Sequence, residues 1–318
     1  MTTTIIFPGQ GAQKIGMCKD FYESSEIVKD TFKTASDSLG YSMEDLCFVE
    51  NEKLNLTEYT QPALLTCEIA MWNYMKDRGF KADYFAGHSL GEYTALVAAG
   101  VIKFADGVKI VRRRGELMQR AVPVGEGAMK VINFPIGFPK DESEARIFSA
   151  IKKWCNQYDV DVANLNSPRQ LVISGPAKAV EWLADANTGF IPGSLMMGDY
   201  IDIPVSAPFH SRAMRVIEDE FKTFINGFDF NYDNVDSVYS NKTGVLHDRV
   251  NFINNLVSQI SSSVLWIDNM NNICANNGEI VEIGPGKPLS GFFKSLNINV
   301  TSIMIVRQAE TFLKGKGL

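Results

Sequence analysis

The sequence predicts an α/β protein in which a large domain on a parallel sheet is interrupted by a small α+β domain. Three observations carry this reading. From residue 3 onward, short β-branched apolar runs alternate with longer segments of helical period, the signature of strand–helix crossovers. One strand-to-helix joint is a glycine-flanked turn with a serine at its tip. Between residues 127 and 197 the texture changes to strand, helix, strand, strand, helix, strand, the β-α-β-β-α-β order of a ferredoxin-like unit.

Residues 3–7 form an apolar, β-branched run that stops at Pro8-Gly9, a strand feeding a loop. Residues 25–39 place Ile27, Val28, Phe32, Ala35 and Leu39 at helical spacing, with Gly40 as the stop. A helix over 61–78 carries Leu64, Leu65, Ile69, Trp72 and Met75 near one side and closes at Gly79. Residues 84–86 lead through Gly87-His88-Ser89-Leu90-Gly91 into a helix bearing Tyr93, Leu96 and Val97. A further helical stretch contains Arg112, Arg113 and Arg114. Within the insert, strands are expected at 128–133, 160–163, 171–174 and 190–196, with helices at 145–158 and 177–186. After Gly198 the α/β pattern resumes with helices over 211–225, 252–260 and 266–275 and strands at 238–240 and 280–283, the latter ending in Gly284-Pro285-Gly286. A final helix and strand follow. The large domain is therefore discontinuous, 1–126 with 198–318, around a small domain at 127–197.

A formal net charge of -6 argues against broad binding to nucleic-acid phosphates, which needs a basic surface. Two of the three consecutive arginines read as a solvated helix face. The five cysteines, Cys18, Cys47, Cys67, Cys155 and Cys274, form no C-x-x-C pair and have no histidine at ligand spacing, so neither a disulfide framework nor a metal site is expected. The first residues lack a basic flank and a long apolar core. No later run approaches the ~18 apolar residues of a membrane helix. A soluble, cytoplasmic, monomeric protein without a membrane partner is the expectation.

Gly87-His88-Ser89-Leu90-Gly91 matches the G-x-S-x-G nucleophile elbow, whose glycines allow a sharp strand-to-helix turn. This makes the large domain α/β-hydrolase-like. The plain alternative is a turn in which Ser89 merely caps a helix; the strand before it and the helix after it favour the elbow. A serine hydroxyl needs a neighbouring base, and the chain has three histidines. His88 adjoins the serine, and on a tight turn its ring points away, which suits a packing role. His247, among Leu246, Asp248 and Arg249, reads as a surface histidine. His210 lies in Ser206-Ala207-Pro208-Phe209-His210-Ser211, a loop at the re-entry into the large domain, where a rigid scaffold can present a catalytic group. Gly9-Gln10-Gly11 reads by itself as an ordinary loop or a weak phosphate loop, without the G-x-G-x-x-G pattern or the Walker lysine.

Taken in order, Phe7-Pro8-Gly9-Gln10-Gly11-Ala12-Gln13, Thr60-Gln61-Pro62-Ala63-Leu64, Gly87 to Tyr93, Arg114-Gly115, Ala207 to His210 and Glu282-Ile283-Gly284-Pro285-Gly286 span nearly the whole chain. Together they resemble the malonyl-CoA:acyl carrier protein transacylases and the acyltransferases of polyketide synthases. The resemblance implies that Ser89 is the acylated nucleophile and His210 its base, with the histidine oriented by a main-chain carbonyl. It implies an oxyanion hole from the main-chain N–H groups of Gln10 and Leu90, each donor being worth about 3 kcal/mol in hydrolases. Gln61 matches a glutamine lining the site. Arg114 matches the arginine that pairs with the malonyl carboxylate, two parallel hydrogen bonds that an acetyl group cannot accept. Phe209 matches the position that favours unbranched malonyl over methylmalonyl, a choice worth about 1–3 kcal/mol.

One departure is a glutamine often found near the start of the helix that here begins around Trp266, where this chain places Leu265; because that contact to the histidine runs through the backbone, the dyad survives it. Another is the stretch 134–142, longer than usual, in the small domain where a carrier would dock. The implied activity is transfer of malonyl from malonyl-CoA, as substrate and with no cofactor, to the thiol of an acyl carrier protein by a ping-pong route in fatty-acid or polyketide synthesis. Two other classes would use the same parts: a serine hydrolase or editing thioesterase, and a non-catalytic carrier-binding protein. Arg114 argues against the first, and the joint presence of Ser89, His210 and Arg114 against the second.

Overall fold

Eight strands organise the computed structural model, which describes residues 2–134, 142–185, 199–205 and 207–318. They are β1 (Thr3–Phe7), β2 (Tyr84–Gly87), β3 (Gly127–Asn133), β4 (Asp161–Ser167), β5 (Gln170–Pro176), β6 (Asp199–Asp202), β7 (Glu279–Ile283) and β8 (Thr301–Ile303). The order β2-β1-β7-β8 makes a parallel sheet, and β4-β5-β3-β6 an antiparallel one. β1 is central in the first, and its residues Thr4 to Phe7 are buried, as a strand covered by helices on both faces requires. Phe7 pairs with Gly87, so the loop after β1 and the serine turn after β2 leave the same carboxyl edge of the sheet. That edge is where open α/β sheets carry their sites.

The helix Thr57–Asp77 packs most extensively on Phe104–Arg120. It starts four residues earlier than the 61–78 expected, so Pro62 sits inside it. A proline there has no N–H for the carbonyl four residues back. That carbonyl, of Glu58, instead accepts from Arg112 Nη1 at 3.0 Å. The Arg112 guanidinium also pairs with the Glu58 carboxylate and lies 4.1 Å from the Tyr59 ring centre, while Arg113 bridges Glu116 and Glu220. These two arginines are thus ion-paired braces between helices, correcting the expected solvated face. Beside them, a Cβ on Gly115 would come within 2.7 Å of the Glu58 Cα and the Thr57 carbonyl oxygen. Only glycine lets the helices approach so closely, and the contact brings Arg114 next to Gln61.

The second sheet follows the order strand, helix Glu142–Asn156, two strands, helix Ala177–Asp185, strand. It has its own core of Ile132, Ile151, Leu171, Ile173, Val180 and Leu183. Its fourth strand, Asp199–Asp202, pairs with β3, so this unit runs past the boundary expected at 197. The strand expected at 190–196 and residues 135–141 of the longer stretch lie outside the described residues. The strand expected at 238–240 is reduced to a parallel bridge between Val238 and Phe85, and a helix, Val306–Gly315, follows β8. Among the described residues no helix is long and apolar enough to cross a membrane.

Gly115→Ala should lower stability by about 1–3 kcal/mol through overpacking, seen as a fall in thermal midpoint. An unchanged midpoint would mean that the two helices are free to separate.

Candidate active site

Ser89 sits between β2 and the helix Leu90–Ala98 with φ 54° and ψ -101°, a conformation that costs a non-glycine residue about 1–3 kcal/mol. The surrounding hydrogen bonds hold it there. Asn241 Oδ1 accepts from the Ser89 N–H at 2.6 Å, and Asn241 Nδ2 donates to the Gly87 carbonyl at 2.8 Å. Gln259 Nε2 donates to the Ser89 carbonyl at 2.9 Å. Both flanking glycines are required by close approach. A Cβ on Gly87 would lie 2.0 Å from the Gly91 backbone, and one on Gly91 would lie 2.3 Å from the Phe7 carbonyl oxygen. Gly9 presses in the same way on the His88 carbonyl oxygen, at 2.5 Å.

The Ser89 hydroxyl caps nothing in its own helix. It lies 2.7 Å from His210 Nε2 instead. On the far side of the ring, Nδ1 is 2.9 Å from the Gln259 carbonyl oxygen. A carbonyl can only accept, so Nδ1 carries the hydrogen and Nε2 is left bare to accept the serine proton. Burial, and then the nearby Arg114 charge, push the ring from its ordinary 6.5 down to about 3.

Arg114 is buried to 1% exposure. It donates from Nη1 to Gln61 Oε1 at 2.9 Å, and from Nη2 to Gln259 Oε1 at 2.8 Å and Ser89 Oγ at 3.2 Å. Its centre lies 5.2 Å from the Tyr93 ring centre. Among the described residues it hydrogen-bonds no carboxylate, and its Nε has no partner. A cavity of about 400 Å³ opens here, lined by Gln10, Gln61, Leu90, Phe209 and Met118 besides Ser89, His210 and Arg114. Within the described residues the main-chain N–H groups of Gln10 and Leu90 find no protein acceptor. A second cleft, of about 770 Å³, also reaches His210.

Every residue singled out from the sequence, Ser89, His210, Gln10, Leu90, Arg114, Gln61 and Phe209, therefore lines one cavity. His88 packs as expected, with Nε2 2.8 Å from Asn166 Oδ1 and its ring edge-on to Trp266; burial drives its pKa down to about 4. His247 corrects its reading as a surface histidine: it is 2% exposed, with Nε2 2.8 Å from Glu92 Oε1. Its exposed polar neighbours Asp248 and Arg249 disguised this, while the His247 N–H meets the Val238 carbonyl. Leu265 is also corrected. The carbonyl facing His210 belongs to Gln259, at the end of the helix Phe252–Gln259, so the glutamine is present one element earlier. Gln259 and Asn241 were missed as site residues. Their signals were a polar residue beside buried Leu256 and Val257, and an asparagine just after the segment aligned with β2.

A serine–histidine pair on the carboxyl edge of a parallel sheet, the histidine buried and the serine half-buried, with a guanidinium and two amides beside it, defines a serine-type acyl-transfer enzyme, and residues 4–226 match the acyl transferase domain family. A malonyl CoA-acyl carrier protein transacylase of Staphylococcus aureus (strain MRSA252) is 36% identical over 312 residues, 97% of each chain. The transacylase structure from Clostridium perfringens superposes with a TM-score of 0.88 at 36% identity, over 100% of this chain and 98% of that one. A malonyl-transacylase solved with its type II polyketide acyl-carrier protein gives 0.88 at 34%, over 99% of this chain and 100% of that one. The chain belongs to the malonyl CoA-acyl carrier protein transacylase family.

The His210 ring should stay unprotonated between about pH 3 and 6.5, where an ordinary histidine gains a proton. Modification of Ser89 by a fluorophosphonate should therefore show no fall centred near pH 6.5 as pH is lowered. A fall centred there would show that neither burial nor Arg114 perturbs the ring.

Proposed function

We propose that this protein moves a malonyl group from malonyl-CoA to the phosphopantetheine thiol of an acyl carrier protein, through an ester on Ser89. The observation that carries the reading is the buried Arg114 guanidinium beside the nucleophile, 3.2 Å from Ser89 Oγ. Such a cation, hydrogen-bonded to amide and hydroxyl oxygens and to no carboxylate among the described residues, invites an acyl group that brings its own carboxylate. Each charged hydrogen bond so formed in a dry cavity is worth about 1.5–3 kcal/mol.

Ser89 Oγ attacks the thioester carbonyl while its proton passes to His210 Nε2, and the Gln259 carbonyl steadies the resulting imidazolium through Nδ1–H. The N–H groups of Gln10 and Leu90 receive the developing oxyanion, and their freedom from protein acceptors supports that role. As the C–S bond breaks, the departing coenzyme A sulfur takes the proton from His210. The carrier thiol then gives its proton to His210 and attacks the acyl-serine, and Ser89 regains the proton as it leaves. Arg114 and Gln61 hold the malonyl carboxylate throughout. Phe209, in the cavity wall and 6% exposed, disfavours a branch on the acyl α-carbon.

The insert reads as the ferredoxin-like domain of this family. Its support is the element order and the antiparallel pairing of its described strands with one another.

Intact-protein mass after brief incubation with malonyl-CoA, acetyl-CoA or methylmalonyl-CoA tests the proposal, with carrier protein in its thiol form added afterwards. A malonyl adduct that passes to the carrier is expected, and one that decays to free malonate regardless of carrier would replace transfer by hydrolysis. Ser89→Ala should form no adduct. Arg114→Ala should lose malonyl loading by about 10²-fold or more and acetyl loading much less; equal losses would remove the carboxylate clamp.

A further inference from the structure

Behind the cavity lies a chain of buried polar side chains, of which the transfer mechanism uses only the main-chain carbonyl of Gln259. Gln259 makes four contacts with site groups or their support. Its carbonyl faces His210 Nδ1, its Oε1 accepts from Arg114 Nη2, and its Nε2 donates both to the Ser89 carbonyl and, at 2.7 Å, to Glu92 Oε2. Glu92 is 0% exposed. Besides Gln259, it receives the Asn241 main-chain N–H at 3.1 Å on Oε2 and His247 Nε2 at 2.8 Å on Oε1. Asn241 in turn braces the serine turn at Gly87 and Ser89.

An amide side chain has two faces of nearly equal shape, one a donor and one an acceptor. Turned about, Gln259 would aim its NH₂ at the Arg114 guanidinium, donor against donor, and present its oxygen to the Ser89 carbonyl. The Ser89 carbonyl favours the observed face, but a buried carboxylate is the stronger acceptor, since hydrogen bonds to a charged group are roughly twice as strong as neutral ones. We propose that Glu92 is a positioning residue for substrate selection: it locks the Gln259 amide so that Oε1 faces Arg114, and so keeps the guanidinium in the plane that a malonyl carboxylate needs. His247 holds the outer oxygen of Glu92 and thereby fixes the direction of the carboxylate. This rests on the acyl-transfer reading above and adds to it a specificity role for residues that contact no substrate.

The chain is tested by single-turnover loading of malonyl and acetyl groups on folded Glu92→Leu and Gln259→Leu proteins. Glu92→Leu keeps the bulk and removes the acceptor. Malonyl loading should fall by about 10²-fold, as for a small misplacement of a positioned group, and by about tenfold more than acetyl loading, as for loss of a charged hydrogen bond. Gln259→Leu keeps the main-chain carbonyl used by His210 and should shift the malonyl-to-acetyl ratio in the same direction. Adding Glu92→Leu to it should move that ratio no further, because the effect runs through the amide. Glu92→Gln still offers an oxygen to Gln259, with its NH₂ toward His247 in the other tautomer, and should recover most of the ratio. Equal loss on both substrates in Glu92→Leu would leave only a structural role and overturn the proposal. If Glu92→Leu does not fold, an unchanged ratio in Gln259→Leu overturns it by itself. Absence of any malonyl adduct on the unmodified enzyme would instead sink the transfer reading on which the proposal stands.

Discussion

The site depends on two backbone turns pressed together more closely than any side chain would allow. The loop after β1 and the serine turn after β2 meet through Gly9 against the His88 carbonyl and Gly91 against the Phe7 and Pro8 carbonyls, and within the turn Gly87 lies on Gly91. Parallel pairing of Phe7 with Gly87 sets the register of this contact. With three glycines removing the steric obstacle, Gln10 and Leu90 can border the same cavity as Ser89. A Cβ at any of the three positions would have to push the turns apart, and the amides with them.

The strain of the serine turn is held by groups from distant parts of the chain. Asn241 and Gln259 bind the peptide groups on either side of Ser89 across 152 and 170 residues of sequence. The site is thus assembled only when segments far apart in the chain come together. The same groups carry the electrostatics. Arg114 is buried among amide and hydroxyl oxygens, which leave its charge uncompensated by direct contact. That charge, added to burial, keeps His210 neutral and its Nε2 free to accept. Burial also pulls the Arg114 pKa down from its ordinary value, yet a guanidinium begins so high that it remains a cation.

Local signals made much of this legible. The strand–turn–helix around Ser89 and the glycine loop after β1 are each written within about fifteen consecutive residues, and periodicity reads such segments well. Less legible were features set by packing between segments. The early start of the Thr57–Asp77 helix depends on Arg112 satisfying the carbonyl that Pro62 leaves free. The burial of His247 depends on Glu92, 155 residues away. A polar neighbourhood in sequence said surface; the fold made it interior.

The chemical groups present, and those that adjoin one another along the chain, are readable from the amino-acid order alone: Ser89 with Leu90, Arg114 with Gly115, Phe209 with His210. Glycine spacing and apolar period are local properties, and each acts over a few residues. Folding sets which carbonyl orients His210, which residues brace Ser89, and that Glu92 stands behind Gln259. Those pairings join residues from 49 to 170 positions apart. A hydrogen bond specifies distance and angle in space, and no local pattern in the chain encodes which distant acceptor a buried donor will meet.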